Sequence, residues 1–319
     1  MHLQRFLTDK FNKLQPAADK IEDIIVAARM GPGDIFFVDN TNGNNSYIGN
    51  DPKHPFKTLN YAVSKCEDDK GDVIIMQPWH EETIQDTGTE SGTTTDECVF
   101  DKSGIKVIGL GWGLLRPTFT LQGATDAALV VLAGATNVML KNFIVKSNLA
   151  NVDAGITLSA TSDGAVLEDL VLRDGNDDAK ELVLGVSVAA DCDDIKIRRC
   201  IFSTVPSGGC ANAILLAGGS DRCEIVDNIA QGTYSAGTML ASAAASTEMI
   251  IARNIFTNQG ALALGLNASC TGILARNFLA GTTSIAAALT GEDAMWPFEN
   301  YITGVAAASG LLDPTADGD

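Results

Sequence analysis

A short pattern of apolar and polar positions recurs along the second half of the chain. The copies read Leu140-Lys141-Asn142-Phe143-Ile144, Leu167-Glu168-Asp169-Leu170-Val171, Ile197-Arg198-Arg199-Cys200-Ile201, Ile225-Val226-Asp227-Asn228-Ile229, Ile251-Ala252-Arg253-Asn254-Ile255 and Leu274-Ala275-Arg276-Asn277-Phe278. Each is an apolar residue, two mostly polar ones, a slot, and another apolar residue. The slots at 143, 170, 200, 228, 254 and 277 lie 27, 30, 28, 26 and 23 residues apart. Self-similarity at such a period marks a stacked-repeat architecture. Eight and seven residues before each slot stand Ala135-Thr136, Ser162-Asp163, Cys192-Asp193, Ser220-Asp221, Ser246-Thr247 and Ser269-Cys270. Ser, Asp and Thr bond to nearby backbone groups and bend the chain, so a turn is predicted at a constant distance from each apolar phrase.

The phrases alternate at period two, with Gly, Ala, Ser and Thr crowded between them, as short strands and tight corners require. A helical repeat needs long apolar stripes at period 3.6, and none runs through 135–280. A fixed leucine-rich frame is also absent. The expectation is an all-β fold, a parallel β-helix from about 70 to 305, preceded by a short α-helical segment. Leu140, Leu167, Ile197, Ile225, Ile251 and Leu274 should form one inward column. Asn228, Asn254 and Asn277 should stack about 4.8 Å apart as an amide ladder, a structural role rather than a ligand site.

The pattern divides the chain into residues 1–33, an amphipathic helical segment; 34–70, an opening segment with a cap helix; 71–305, the solenoid; and 306–319, a polar, extended tail. Leu3, Phe6, Leu7, Phe11 and Leu14 share one helical face. That face either caps the first coil or docks on a partner, and its two Phe residues favour a partner interface. Thr58 is placed to cap a helix over 59–66 with Leu59, Ala62 and Val63 on one face. Residues 86–99 read as an acidic, Thr-rich projecting loop, a candidate contact loop for which the plain solvated loop is the favoured reading. Glu299-Asn300-Tyr301-Ile302 is a candidate last turn.

Residues 37–62 contain Phe37-Val38-Asp39-Asn40, Gly49-Asn50-Asp51, Pro55-Phe56-Lys57-Thr58-Leu59 and Ala62; Gly71-Asp72-Val73-Ile74 through Glu82-Thr83 and Gly104-Ile105-Lys106-Val107-Ile108-Gly109 follow. This run resembles the opening of right-handed parallel β-helix proteins of the pectate-lyase-like superfamily. The resemblance covers about 34–112 by motif and the remainder by repeat. It implies the fold and its right hand. It is weak for activity, since such motifs occur in polysaccharide lyases, phage tailspikes and non-enzymatic virion proteins.

Charge and chemistry narrow the partners. With 22 basic and 40 acidic residues the net charge is −18, which repels nucleic acid and anionic membrane surfaces. No segment reaches transmembrane length. Residues 1–30 carry charges throughout, so no export signal is expected. The seven cysteines include no close pair, and four fall on repeat positions, which reads as reduced core thiols. A glycan lyase on such a fold needs an acidic calcium site and a strong base; a hydrolase needs two carboxylates at a set separation. Asp163, Asp193 and Asp221 share one repeat offset, and Asp174, Asp177 and Asp178 form a second cluster with Asp191 and Asp194 near the first. Their equivalents in other coils are Thr136, Thr247 and Cys270, so corner chemistry is expected of the first set and loop composition of the second. Trp79, Trp112 and Trp296 are expected to cap the core rather than stack on sugars.

The sequence therefore favours a non-enzymatic structural protein of a tailed bacteriophage virion, a head decoration or short surface fibre. It would be a homotrimer bound to capsid or tail proteins, made in the host cytoplasm, with no cofactor or metal and with glycan contact open. The alternative is a tailspike polysaccharide depolymerase on the same fold.

Overall fold

The computed structural model describes residues 33–85, 98–122, 128–175, 180–205, 209–241, 244–282, 295–303 and 310–312. Short strands wind through three sheets in turn, so each sheet collects every third strand or so of the chain. One full coil is Met139–Lys141, Ile144–Ser147 and Val152–Leu158. The next is Val166–Glu168, Val171–Arg173 and Leu182–Val188. Each strand pairs in parallel with its counterpart one coil on. This is a parallel β-helix. The first sheet already begins at Ile35–Val38, inside the opening segment, which pairs in parallel with Val73–Met76.

The expected inward column is present. Phe36, Ile74, Val107, Leu140, Leu167, Ile197, Ile225, Ile251 and Leu274 succeed one another in register through the first sheet. All are buried in one continuous hydrophobic core. Period-two alternation sends one residue of each strand inward and its neighbours outward, which is why a phrase of five residues suffices to specify a coil.

The slot column turns the chain from the first sheet into the second. Its occupant changes from Phe143 and Leu170 through Cys200 to asparagine at 228, 254, 277 and 300, all buried. Asn228 donates its backbone N–H and its Nδ2 to Asn254 Oδ1 at 2.9 and 3.0 Å. Asn254 repeats this towards Asn277 Oδ1 at 2.9 Å, and Asn277 towards Asn300 Oδ1 at 3.0 and 2.9 Å. The second amide hydrogen of each reaches back to a strand carbonyl, Ile197, Ile225, Ile251 and Leu274 in order. Asn300 is thus the last rung, and the phrase at 299–302 is a true coil.

A second ladder runs where each coil enters the first sheet. Cys192 N–H donates to Ser220 Oγ, Ser220 N–H to Ser246 Oγ, and Ser246 N–H to Cys270 Sγ at 3.3, 3.2 and 3.5 Å. Here the sequence alignment needs correction. Cys270, not Ser269, takes the inward place, because the last interval is short and the corner loses a residue. Gly272 absorbs the change at φ +136°, where a side chain would collide with Met249.

Both ends are closed by local chemistry. Helix α1 (Leu59–Val63) is shorter than expected; Thr58 caps it, its hydroxyl accepting from Tyr61 N–H, and Leu59, Ala62 and Val63 are buried. At the other end Gly310–Leu312 pairs antiparallel with Asn300–Thr303 and occupies an otherwise open strand edge, a device against edge-to-edge aggregation. Leu3, Phe6, Leu7, Phe11 and Leu14 lie outside the described residues. So do 86–97 of the contact loop, whereas Cys98 and Val99 belong to a buried strand rather than to that loop.

Candidate functional site

The stacked carboxylates sit at the corner that leads into the first sheet. Asp163 Oδ1 accepts from Asp193 N–H at 2.9 Å, Asp193 Oδ1 from Asp221 N–H at 2.9 Å, and Asp221 Oδ1 from Thr247 N–H at 2.7 Å. Each carboxylate therefore satisfies the corner of the next coil. Arg222 joins this column to its neighbour, reaching Asp193 Oδ2 at 3.1 Å and both oxygens of Asp194 at 2.8 and 2.9 Å. Hydrogen bonding from Arg222 holds the Asp194 carboxyl below the usual carboxylate range. Arg253 does the same to Asp227. A depressed carboxyl contributes stability above the unfolded value of about 3.9 and loses it as pH falls through the folded value. These pairs are exposed and screened, so the acid-induced loss should be shallow and should flatten further in about 1 M salt. Thermal melts between acidic and neutral pH, at two salt levels, check this.

Asp174 is buried and spoken for: Oδ1 accepts from Leu182 N–H at 2.9 Å and Oδ2 from Val205 N–H at 3.0 Å. It pins two adjacent coils at the exit of the second sheet. Asp177 and Asp178 lie outside the described residues. Among the described residues, no three His, Cys, Asp or Glu side chains are grouped to hold a metal ion. Asp193→Ala is expected to cost about 1 kcal/mol, mostly the bond from Asp221 N–H, since the exposed contact with Arg222 adds little. Asp193→Asn, which keeps the acceptor, should cost less. Urea melts with and without calcium should show no metal-dependent difference between the two.

One column escaped the sequence reading. The residue before each slot has a left-handed backbone: Asn142, Asp169, Arg199, Asp227, Arg253, Arg276 and Glu299, with φ between +50° and +61°. This conformation costs about 1 kcal/mol for a non-glycine residue. Ion pairs between coils offset it, Asp169 with Arg199 at 2.8 Å, Asp227 with Arg253 at 2.7 Å and Arg276 with Glu299 at 2.7 Å. The signal was the alternation of sign from Asp169 to Arg253 at a fixed offset.

His80 and Glu82 form the one imidazole–carboxylate contact in the interior of the described residues. Asn40 N–H donates to His80 Nδ1 at 3.0 Å, so the ring proton lies on Nε2 and is donated to Glu82 Oε2 at 3.0 Å. That oxygen also accepts Leu59 N–H at 2.9 Å, at the first turn of α1. His80 is fully buried and both its nitrogens are occupied, which makes the pair a fastener between cap helix and first coil. No repeat spacing pointed to it.

The tryptophans correct an expectation. Trp79 is 67% exposed, Trp112 78% and Trp296 66%, so none caps the core. Next to Trp79 it is His80 that turns inward, its ring against Phe119 and that of Phe119 edge-on to Phe143. Trp79 has φ +66°, and its N–H bonds Leu115 O at 3.0 Å across the turn that Trp112 opens.

All seven cysteines are free and buried, the four on repeat positions and the other three alike. Burial pushes the thiols of Cys66, Cys200 and Cys223 up to about 12. Since the thiolate is the nucleophile, alkylation of the native protein at neutral pH should label none of the seven. Mass spectrometry before and after denaturation checks this.

No protein-family model matches the chain, and no curated protein matches it. Among solved structures it is similar to a rhamnogalacturonan lyase, at 15% identity and TM-score 0.45 over 89% of this chain and 66% of that one. It thus spans just under two thirds of that lyase. It is also similar to a lacto-N-biosidase from Eubacterium ramulus, at 9% identity and TM-score 0.30 over 92% of this chain and 71% of that one. At this level neither protein's chemistry carries over, and the fold rests on the strand ladders themselves.

Proposed function

We propose that this chain is a non-enzymatic structural protein of a bacteriophage virion, a head decoration or short surface fibre built as a homo-oligomer. One observation carries the reading: the carboxylates stacked along the solenoid are used to join coils. Asp163, Asp193 and Asp221 accept backbone N–H groups, Asp174 ties two loops, and Asp194 and Asp227 are paired with arginines. A hydrolase would need a carboxyl free to give up a proton beside a second one. The apolar face of Leu3, Phe6, Leu7, Phe11 and Leu14 supplies a docking segment ahead of the rod. Deleting residues 1–30 should leave the β-helix folded while abolishing incorporation into particles, read by circular dichroism and by occupancy on purified virions. Normal occupancy of the truncated chain would refute the docking role.

A tailspike depolymerase is the second reading, favoured by the exposed indoles of Trp79 and Trp112, which suit stacking on sugar rings. Incubation with host surface polysaccharides, with and without calcium, separates the two. The structural reading expects no new reducing or unsaturated ends. Robust cleavage lost in Asp193→Ala would overturn it.

A further inference from the structure

We infer that the outer face of the second sheet is a self-association surface on which a second copy of this chain packs. The inference rests on the self-assembling part of the proposal above and gives it a location. In the second sheet the outward position that follows each slot is apolar for seven consecutive coils, from Ile144 through Ile201 and Ile255 to Phe278 and Tyr301, in unbroken register. Ile201 is 41% exposed, Ile255 39%, Phe278 37% and Tyr301 50%. The last two rings stack at 5.5 Å and 9°. The inward positions are filled independently, by residues such as Leu172, Phe202 and Phe256, so the outward apolar column contributes nothing to the core.

Charge names the occupant. The chain carries a net charge of −18, yet eight successive strands of this ten-stranded sheet, from Thr118–Gln122 to Asn300–Thr303, contain no Asp or Glu. Their outward charges are Lys146 and Arg173. The other faces differ: Glu168 and Glu224 stand outward on the first sheet, paired with Lys141 and Lys196, and Asp153 on the third. Strongly acidic copies repel one another except across a stretch free of carboxylates, and these eight strands form one; Glu81, outward on the sheet's first strand, lies beyond its end. Shape agrees. Six steps of about 4.8 Å make a stripe about 29 Å long, close to the breadth of an interface burying about 800 Å² per partner. A second copy has the same axial repeat, so side chains of one stripe can sit between those of the other along its whole length.

The test uses the full chain in sedimentation equilibrium over a dilution series. The wild type is expected to be an oligomer. Ile201→Glu and Ile255→Glu should each weaken association by about tenfold or more, since every copy then brings a like charge to the stripe. Ile250→Glu, at an equally exposed position on the first sheet (39%), should leave association unchanged. Circular-dichroism melts identify any variant that fails to fold. Gln231→Cys provides a readout without disrupting the face. Its thiol is exposed while the native seven are buried, so a short bismaleimide should join two copies through residue 231. A monomeric wild type would overturn both the inference and the assembling part of the proposal. An oligomer that persists with Glu at 201 and 255, or one that yields no cross-link through 231, would overturn the face alone.

Discussion

Asn254→Ala is expected to lower the stability of the solenoid by about 4 kcal/mol, because several buried partners lose their match at once and each orphan costs about 1–3 kcal/mol. Asn254 Oδ1 receives both the backbone N–H and the Nδ2 of Asn228, while its own Nδ2 serves Ile225 O and Asn277 Oδ1. Truncation strands Asn228 N–H and Ile225 O in a region with no route to water. The loss falls at mid-ladder, where the neighbouring rungs keep their bonds to strand carbonyls but no other acceptor is at hand for Asn228 N–H. Asn254→Asp sharpens the test. A carboxylate there can accept from Asn228 but cannot donate to Ile225 O, so it must be protonated to serve both. Its folded pKa would then stand above the unfolded value, and stability would be fullest in acid and lost as pH rises through the folded pKa. Equilibrium urea unfolding against pH reads both effects. An alanine variant within about 1 kcal/mol of wild type would show that the ladder is ornamental.

The fold was legible because a solenoid writes its register into the sequence. A fixed offset between a turn pair and an apolar phrase identified the inward column from Leu140 to Leu274 and the Asn rungs. The offset failed where a coil shortened, at Ser269-Cys270, because counting back from the slot assumes that corners keep their length. The site was less legible. Carboxylates at a shared offset look alike whether they bind a metal, act on a substrate or accept the next coil's N–H, and geometry alone separates these. Trp79 and Trp112 misled for a different reason. Hydrophobicity alone does not say which neighbour turns inward, and here His80 is buried while Trp79 is exposed. The pairing of His80 with Glu82 joins residues two apart to a backbone N–H at Leu59 and another at Asn40, contacts with no period to betray them.

That fastener leads to the second large effect. Glu82→Ala should open the first coil while leaving the middle of the rod intact. The substitution leaves Leu59 N–H and His80 Nε2–H without an acceptor in a region that excludes water, a loss of about 3 kcal/mol for two buried donors. In a compact globule such a loss would spread through the whole cooperative unit. In a solenoid each coil contacts its neighbours alone, so stability is nearly a sum of local terms. The consequence should therefore appear as local opening: α1 detaches, and the amides of 59–63 lose protection by about a hundredfold, the kinetic image of about 3 kcal/mol. The amides of Asn228, Asn254 and Asn277, held on the ladder five or more coils away, should exchange as in wild type. Hydrogen exchange followed by peptide mass spectrometry resolves the two regions in one experiment. Equal loss of protection at 59–63 and at 228–277 would mean that the rod unfolds as a single unit and that the cap is not an independent closure.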